Sequence, residues 1–242
     1  MHRITSVFLK TFLIAFITLT SMAVTSALPN DPVLHYLVKE PTAKTTLRKA
    51  IILLHGVGSN EQDLFGLASY LPDDFYIISA RGPYTLGAGR FAWYNVDFST
   101  GKPVIQADQE VSSRAVIKTF VEQMKAKYAL DDIYLGGFSQ GAIMSFSVGL
   151  TNPTAVKGII AFSGRLLEQV RPAIVKSDAL AKVKVFLAHG TQDGTLPVQY
   201  ARDARTFLQT LNVPLAYHEY PIGHQISQET LTDVKAWLLD AR

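Results

Sequence analysis

From Pro32 onward, short apolar runs rich in β-branched and aromatic residues alternate with longer stretches in which apolar positions recur every three or four residues. The short runs predict strands over 33–38, 50–55, 75–80, 133–138, 156–162, 183–189 and 215–220. Most are apolar without interruption, the pattern of a sheet covered on both faces rather than of one with a wet side. The longer stretches predict helices over 63–71, 108–128, 140–150, 198–211 and 228–239. In the clearest of these, Ile117, Phe120, Val121, Met124 and Tyr128 fall on one face of a 3.6-residue period. Strands that alternate with helices imply an α/β chain with a mostly parallel central sheet and helices on both faces. Two irregular stretches, 81–106 and 163–182, follow strands on the side where ligands bind in such sheets. Neither is long enough for a large helical lid, so the expected site is open.

The first thirty residues break this pattern. Arg3 and Lys10 are the only charged side chains before Asp31, and 11–24 is almost wholly apolar or small. A basic start, a short apolar core and small residues at Thr25, Ser26 and Ala27 predict a secretory signal peptide over 1–27, with Ala23 as an alternative cleavage position. The competing reading is a retained membrane anchor, for which Ser21, Thr25, Ser26 and Pro29 are poor material. The expected product is one α/β domain over 28–242, exported to the periplasm or medium, without stable membrane insertion after the leader is removed. Monomer and homodimer are both open.

Charge follows the leader. The chain of 242 residues carries a formal +3, and removal of Arg3 and Lys10 leaves 21 basic against 20 acidic residues. A nearly neutral product with no basic stripe excludes nucleic acid as an expected partner. The absence of cysteine excludes disulfides and a lipidated N-terminal cysteine. No metal-ligand spacing occurs, and neither metal nor cofactor is expected. The string Gly87-Ala88-Gly89-Arg90-Phe91-Ala92 fits a dinucleotide pattern formally, but it lies in an irregular stretch and leads into Trp93-Tyr94-Asn95 rather than a helix.

The chemistry is concentrated at Leu135-Gly136-Gly137-Phe138-Ser139-Gln140-Gly141-Ala142, where the strand over 133–138 gives way to a helix. A Gly-x-Ser-x-Gly run at such a junction reads as a nucleophile elbow. The two glycines let strand and helix approach, and the serine is left exposed at the sheet's C-terminal edge. The N–H of Gln140, at a helix N-terminus, is placed to meet developing negative charge.

Elbow serines are followed in chain order by an acid and then a histidine. Three histidines follow Ser139. His189 ends a strand ahead of the best acid, His218 alternates within the strand over 215–220, and His224 lies in Pro221-Ile222-Gly223-His224, a loop that can carry an imidazole over the elbow. His224 is the candidate base, with His218 behind it. Asp193, in His189-Gly190-Thr191-Gln192-Asp193-Gly194 after a strand, is the candidate acid, and Asp178 is the runner-up. For the second oxyanion donor the loop His55-Gly56-Val57-Gly58 offers the Val57 N–H, with His55 as the loop's hydrogen-bonding anchor. Trp93 is the candidate lining of an apolar acyl pocket.

With these motifs assembled, from about Ala50 to the C-terminus, the chain resembles the phospholipase/carboxylesterase family of α/β-hydrolases, which includes bacterial carboxylesterases and acyl-protein thioesterases. The resemblance rests on Leu54-His55-Gly56-Val57-Gly58, Phe91-Ala92-Trp93-Tyr94, Gly136 to Ala142, His189-Gly190 with Asp193, and Gly223-His224. It implies an α/β-hydrolase fold and catalytic roles for Ser139, Asp193 and His224. It also implies oxyanion roles for Val57 and Gln140, and acyl-site positions for Trp93 and Leu196. Two departures are visible: Gly194-Thr195-Leu196-Pro197 follows the acid where the family often has proline at once, and many members lack a leader. The expected activity is that of a serine carboxylesterase on short- to medium-chain esters. A lysophospholipase or thioesterase on longer chains is the enzymatic alternative. The other is a membrane-anchored binding protein on a degenerate hydrolase fold.

Overall fold

The computed structural model describes residues 31–43, 45–97, 99 and 104–240; the expected leader over 1–27 lies outside them. Seven strands form the central sheet: β1 (Tyr36–Lys39), β2 (Lys49–Leu54), β3 (Phe75–Ala80), β8 (Asp132–Phe138), β9 (Gly158–Phe162), β10 (Lys184–Gly190) and β11 (Leu215–Tyr220). Between β3 and β8 lie two small antiparallel ribbons, β4 (Tyr84–Gly87) with β5 (Arg90–Ala92) and β6 (Val96–Asp97) with β7 (Val104–Ile105). The helices are α1 (Glu61–Phe65), α2 (Ala107–Tyr128), α3 (Gln140–Thr151), α4 (Gln199–Thr210) and α5 (Gln228–Asp240).

The sheet runs β1-β3-β2-β8-β9-β10-β11. Every neighbouring pair is parallel except β1 with β3. Alternate residues of each strand enter different cores. Ile52 and Leu54 of β2, with Leu135 of β8, pack beside Ile117 and Phe120 of α2, Phe146 of α3 and Leu208 of α4. Ile51, Leu53 and Tyr134 face the other way, with Leu64 of α1 and Val234 and Leu238 of α5. This two-sided cover is why the strand sequences are continuously apolar. Helix α3 is buried from Gln140 through Leu150, which its uncharged sequence permits.

The chain passes from β2 to β3 on one side and later returns to β8 on the other, so the order reverses beside β2. The C-terminal ends of β2 and β8, adjacent at Leu54 and Gly137, flank that reversal. In open α/β sheets this is where a crevice for ligands forms.

Three expectations shift. The first strand begins at Tyr36 rather than Val33, because Leu34 enters the core without joining the ladder. The helix expected over 63–71 starts at Glu61, after Asn60, whose side chain accepts from the Gln62 N–H, and passes into a 3-10 turn over Gly66–Ser69. The stretch 81–106 holds the two ribbons instead of being structureless, and 163–182 holds short 3-10 turns. Among the described residues neither stretch builds a helical lid.

Candidate active site

Ser139 stands between the last residue of β8 and the first of α3, with φ 54° and ψ −116°. A non-glycine residue in this region carries strain of order 1–3 kcal/mol, tolerated where surroundings over-determine the turn. The surroundings do so here. The Ser139 N–H donates to Phe162 O at 2.9 Å and its carbonyl accepts from Ile143 N–H at 3.1 Å. A Cβ on Gly137 would come within 2.7 Å of Leu54 O, and one on Gly141 within 2.8 Å of His55 O. Both glycines of the elbow are thus required by the close passage of α3 over the end of β2.

His224 Nε2 lies 2.9 Å from Ser139 Oγ, and His224 Nδ1 lies 2.7 Å from Asp193 Oδ2. Ionised Asp193 can only accept, which fixes the proton on Nδ1 and leaves Nε2 to accept from the serine hydroxyl. The three side chains, 31 and 85 positions apart in chain order, are therefore joined in series. The His224 ring also packs on Phe138, 4.8 Å between centroids.

Asp193 is held from every side. Its side chain is fully buried, its Oδ1 accepts from the N–H groups of Thr195 (2.9 Å) and Leu196 (2.8 Å), and His189 Nε2 approaches Oδ2 at 3.3 Å. Burial alone would raise its carboxyl, but the hydrogen bonds from His224 and from the Leu196 and Thr195 N–H groups outweigh it and hold the group below the usual aspartate range. Its loop is stitched to the His224 loop by Thr191 N–H to Tyr220 O (2.7 Å) and Gln192 N–H to Ile222 O (3.0 Å). Gly190 makes that possible, because any Cβ there would collide with the carbonyls of Ile222 and Gly223.

The other candidates lie elsewhere. His218 stacks on Phe186 at 5.0 Å and sits 3.6 Å from Asp233, and Asp178 is exposed in a turn. His55 anchors its loop: its Nδ1–H donates to Gly56 O at 2.7 Å, and its Nε2 accepts from Gly82 N–H at 2.9 Å. Burial pushes its pKa down, consistent with a neutral ring making both bonds.

A cavity of about 120 Å³ opens beside Ser139, lined by Val57, Tyr94, Gln140, Ile143, Arg165 and Leu196 among others. Val57 and Leu196, the candidate oxyanion donor and acyl-site residue, both line it. Trp93 does not line it. Its ring is fully buried, and its indole N–H donates to His55 O at 2.9 Å. The neighbouring Tyr94 takes the wall position. Backbone direction explains the exchange: the Gln140 side chain accepts from Trp93 N–H (2.8 Å) and donates to Tyr94 O (2.7 Å), fixing the strip so that the indole turns inward. That bridge, the His189 contact and the Arg165 wall are features the sequence reading missed. Only Gln140, a large polar residue at the head of a helix of apolar and small side chains, left a trace in the sequence.

Comparison with known proteins follows the same line. The family model described as Phospholipase/Carboxylesterase matches residues 36–240. Acyl-protein thioesterase 1 of Kluyveromyces lactis is 28% identical over 213 residues, covering 80% of this chain and 92% of that protein. Esterase PE8 superposes with a TM-score of 0.75 at 27% identity, covering 86% of this chain and 99% of that one. The Bacillus cereus carboxylesterase superposes at 0.74 with 22% identity, covering 86% and 95%, and so shares the fold. The α/β-hydrolase architecture, the match over nearly all described residues and these relatives together assign the chain: it belongs to the phospholipase/carboxylesterase family and is a serine hydrolase.

Proposed function

We propose that the protein is a carboxylesterase of short- to medium-chain esters in which Ser139 is the nucleophile, His224 the base and Asp193 the residue that orients it. The observation that carries this reading is the unbroken series Asp193–His224–Ser139 at 2.7 and 2.9 Å beside a cavity. His224 takes the serine proton as Oγ attacks the ester carbonyl, and the imidazolium that forms is stabilised by Asp193. The oxyanion meets the N–H groups of Val57 and Gln140, which come from the adjacent ends of β2 and β8. His224 then returns its proton to the leaving alcohol, and water hydrolyses the acyl-enzyme by the same sequence in reverse. None of these steps calls for a cofactor.

Cavity size supports the acyl range. About 120 Å³ is small against the roughly 300–1,000 Å³ of pockets that enclose drug-sized ligands, and it suits a short chain better than a fatty one. Thioester hydrolysis is the second reading, favoured by the likeness to an acyl-protein thioesterase. We also propose that residues 1–27 are a secretory leader and that the enzyme acts outside the cytoplasm on small esters. A p-nitrophenyl ester series from acetate to palmitate, with butyryl thiocholine alongside, tests the reading. Turnover is expected to peak at short to medium chains and to fall at least about 10⁴-fold in Ser139→Ala. Retained turnover in that variant refutes the mechanism.

A further inference from the structure

Arg165 follows β9 through Ser163-Gly164 and is the one cation among the described residues lining the cavity at Ser139. It also lines a second cavity, of about 230 Å³, which adjoins the first through Arg165 and Ile105. The two acids that line the second cavity with it are engaged elsewhere: Glu168 pairs with Arg171 at 2.9 Å and Asp203 accepts from Gln199 at 2.8 Å. Arg165 itself has no carboxylate partner among the described residues. Its Nε is buried without a hydrogen-bond acceptor, and its guanidinium carbon lies 5.2 Å from the Tyr200 ring centroid. A buried donor without an acceptor is a cost to the folded protein, recovered when an anion supplies one. A guanidinium held against an aromatic face presents its planar fork to carboxylate or phosphate oxygens.

We propose that Arg165 is a specificity residue that binds an anionic group on the substrate, so that the preferred esters carry a carboxylate or phosphate within reach of the scissile carbonyl. The inference rests on Ser139 being the nucleophile of the site. It commits the second cavity to the charged end of the substrate and the apolar wall of Tyr94 and Ile143 to the segment next to the carbonyl.

The test compares kcat/KM for monomethyl adipate with methyl hexanoate, and for 1-butyrylglycerol 3-phosphate with 1-butyrylglycerol, in the wild-type protein and Arg165→Gln. At least a tenfold preference for the charged member of one pair is expected, and Arg165→Gln should shrink that preference at least tenfold. The pair that shows it tells an acyl carboxylate from an alcohol phosphate. Neutral esters turned over as well as charged ones by the wild type would overturn the proposal while leaving the hydrolase reading intact. If no ester is turned over, the hydrolase reading fails, and the anion site is still read by calorimetric titration with adipate and with inorganic phosphate. Binding at least tenfold weaker in Arg165→Gln than in wild type and Ser139→Ala then supports it. Equal binding in all three overturns it.

Discussion

Gly141 passes so close to Leu54 that any Cβ on it would overlap the Leu54 carbonyl oxygen. The contact locks the first turn of α3 onto the end of β2, and through it the strained Ser139 is kept at the edge of the sheet. Gly141→Ala cannot relieve the clash by rotating a side chain, since backbone stands on both sides of it. The expected loss is more than about 4 kcal/mol, in the range reached only by severe core disruption. Urea unfolding checks this. A variant within about 1 kcal/mol of wild type would show that strand and helix can separate, and that the elbow is not held by this contact.

Asp193 accepts three hydrogen bonds, and only one of them is from His224. Asp193→Asn keeps the size and the acceptor for the Thr195 and Leu196 N–H groups, but offers the imidazole an amide in place of a negative oxygen. The ring then loses the partner that fixes its proton on Nδ1 and stabilises its charged form. Turnover is expected to fall about 10⁴-fold with KM changed much less. Retention of the fold, read by circular dichroism, separates this outcome from unfolding. Loss of less than about tenfold would remove Asp193 from the role of orienting residue.

The buried His55 makes stability depend on pH. Burial lowers its pKa in the folded protein, while the unfolded chain titrates near 6.5. Below that value the unfolded state binds the proton first, so stability is complete above pH 6.5 and is lost as the pH falls towards the folded value. Protonation of Nε2 also ends its acceptance from Gly82 N–H. The melting temperature should therefore decline from pH 7 to pH 5, and His55→Gln, uncharged throughout, should show a shallower decline even if its melting temperature is lower at neutral pH. Parallel curves would assign the acid sensitivity to other groups.

Much of this arrangement could be read from sequence because it is local. Short β-rich runs, most of them apolar without interruption, located all seven sheet strands, and the glycines around Ser139 announced a turn whose geometry admits few alternatives. The order of Asp193 and His224 after the serine narrowed the search for its partners, and the loop position of His224 separated it from His218 on a strand. What stayed hidden depends on contacts between distant segments. Gly190 looks like an ordinary strand end until the Ile222 and Gly223 carbonyls are placed over it. Trp93 and Tyr94 are adjacent aromatics, and composition cannot tell which one faces the cavity. Arg165 stands in an irregular stretch with no periodicity to orient it, so its place between two cavities emerges only from the folded chain.

Gln140 joins the two halves of the site. Its backbone N–H belongs to the start of α3, while its side chain spans to Trp93 N–H and Tyr94 O and so sets the cavity wall. Gln140→Ala leaves a buried N–H and a buried carbonyl without partners, at an expected cost of about 1–3 kcal/mol in stability. It leaves the backbone N–H in place, so the wall rather than the proposed oxyanion site is disturbed. KM for a butyrate ester should rise, with a smaller change in kcat. Gln140→Glu isolates one of the two bonds, since a carboxylate still accepts from Trp93 N–H but meets the Tyr94 carbonyl with oxygen against oxygen. If the wall is held by both bonds, this variant resembles the alanine one in KM. If the Trp93 bond suffices, it resembles wild type, and steady-state kinetics on the three proteins distinguishes the two cases.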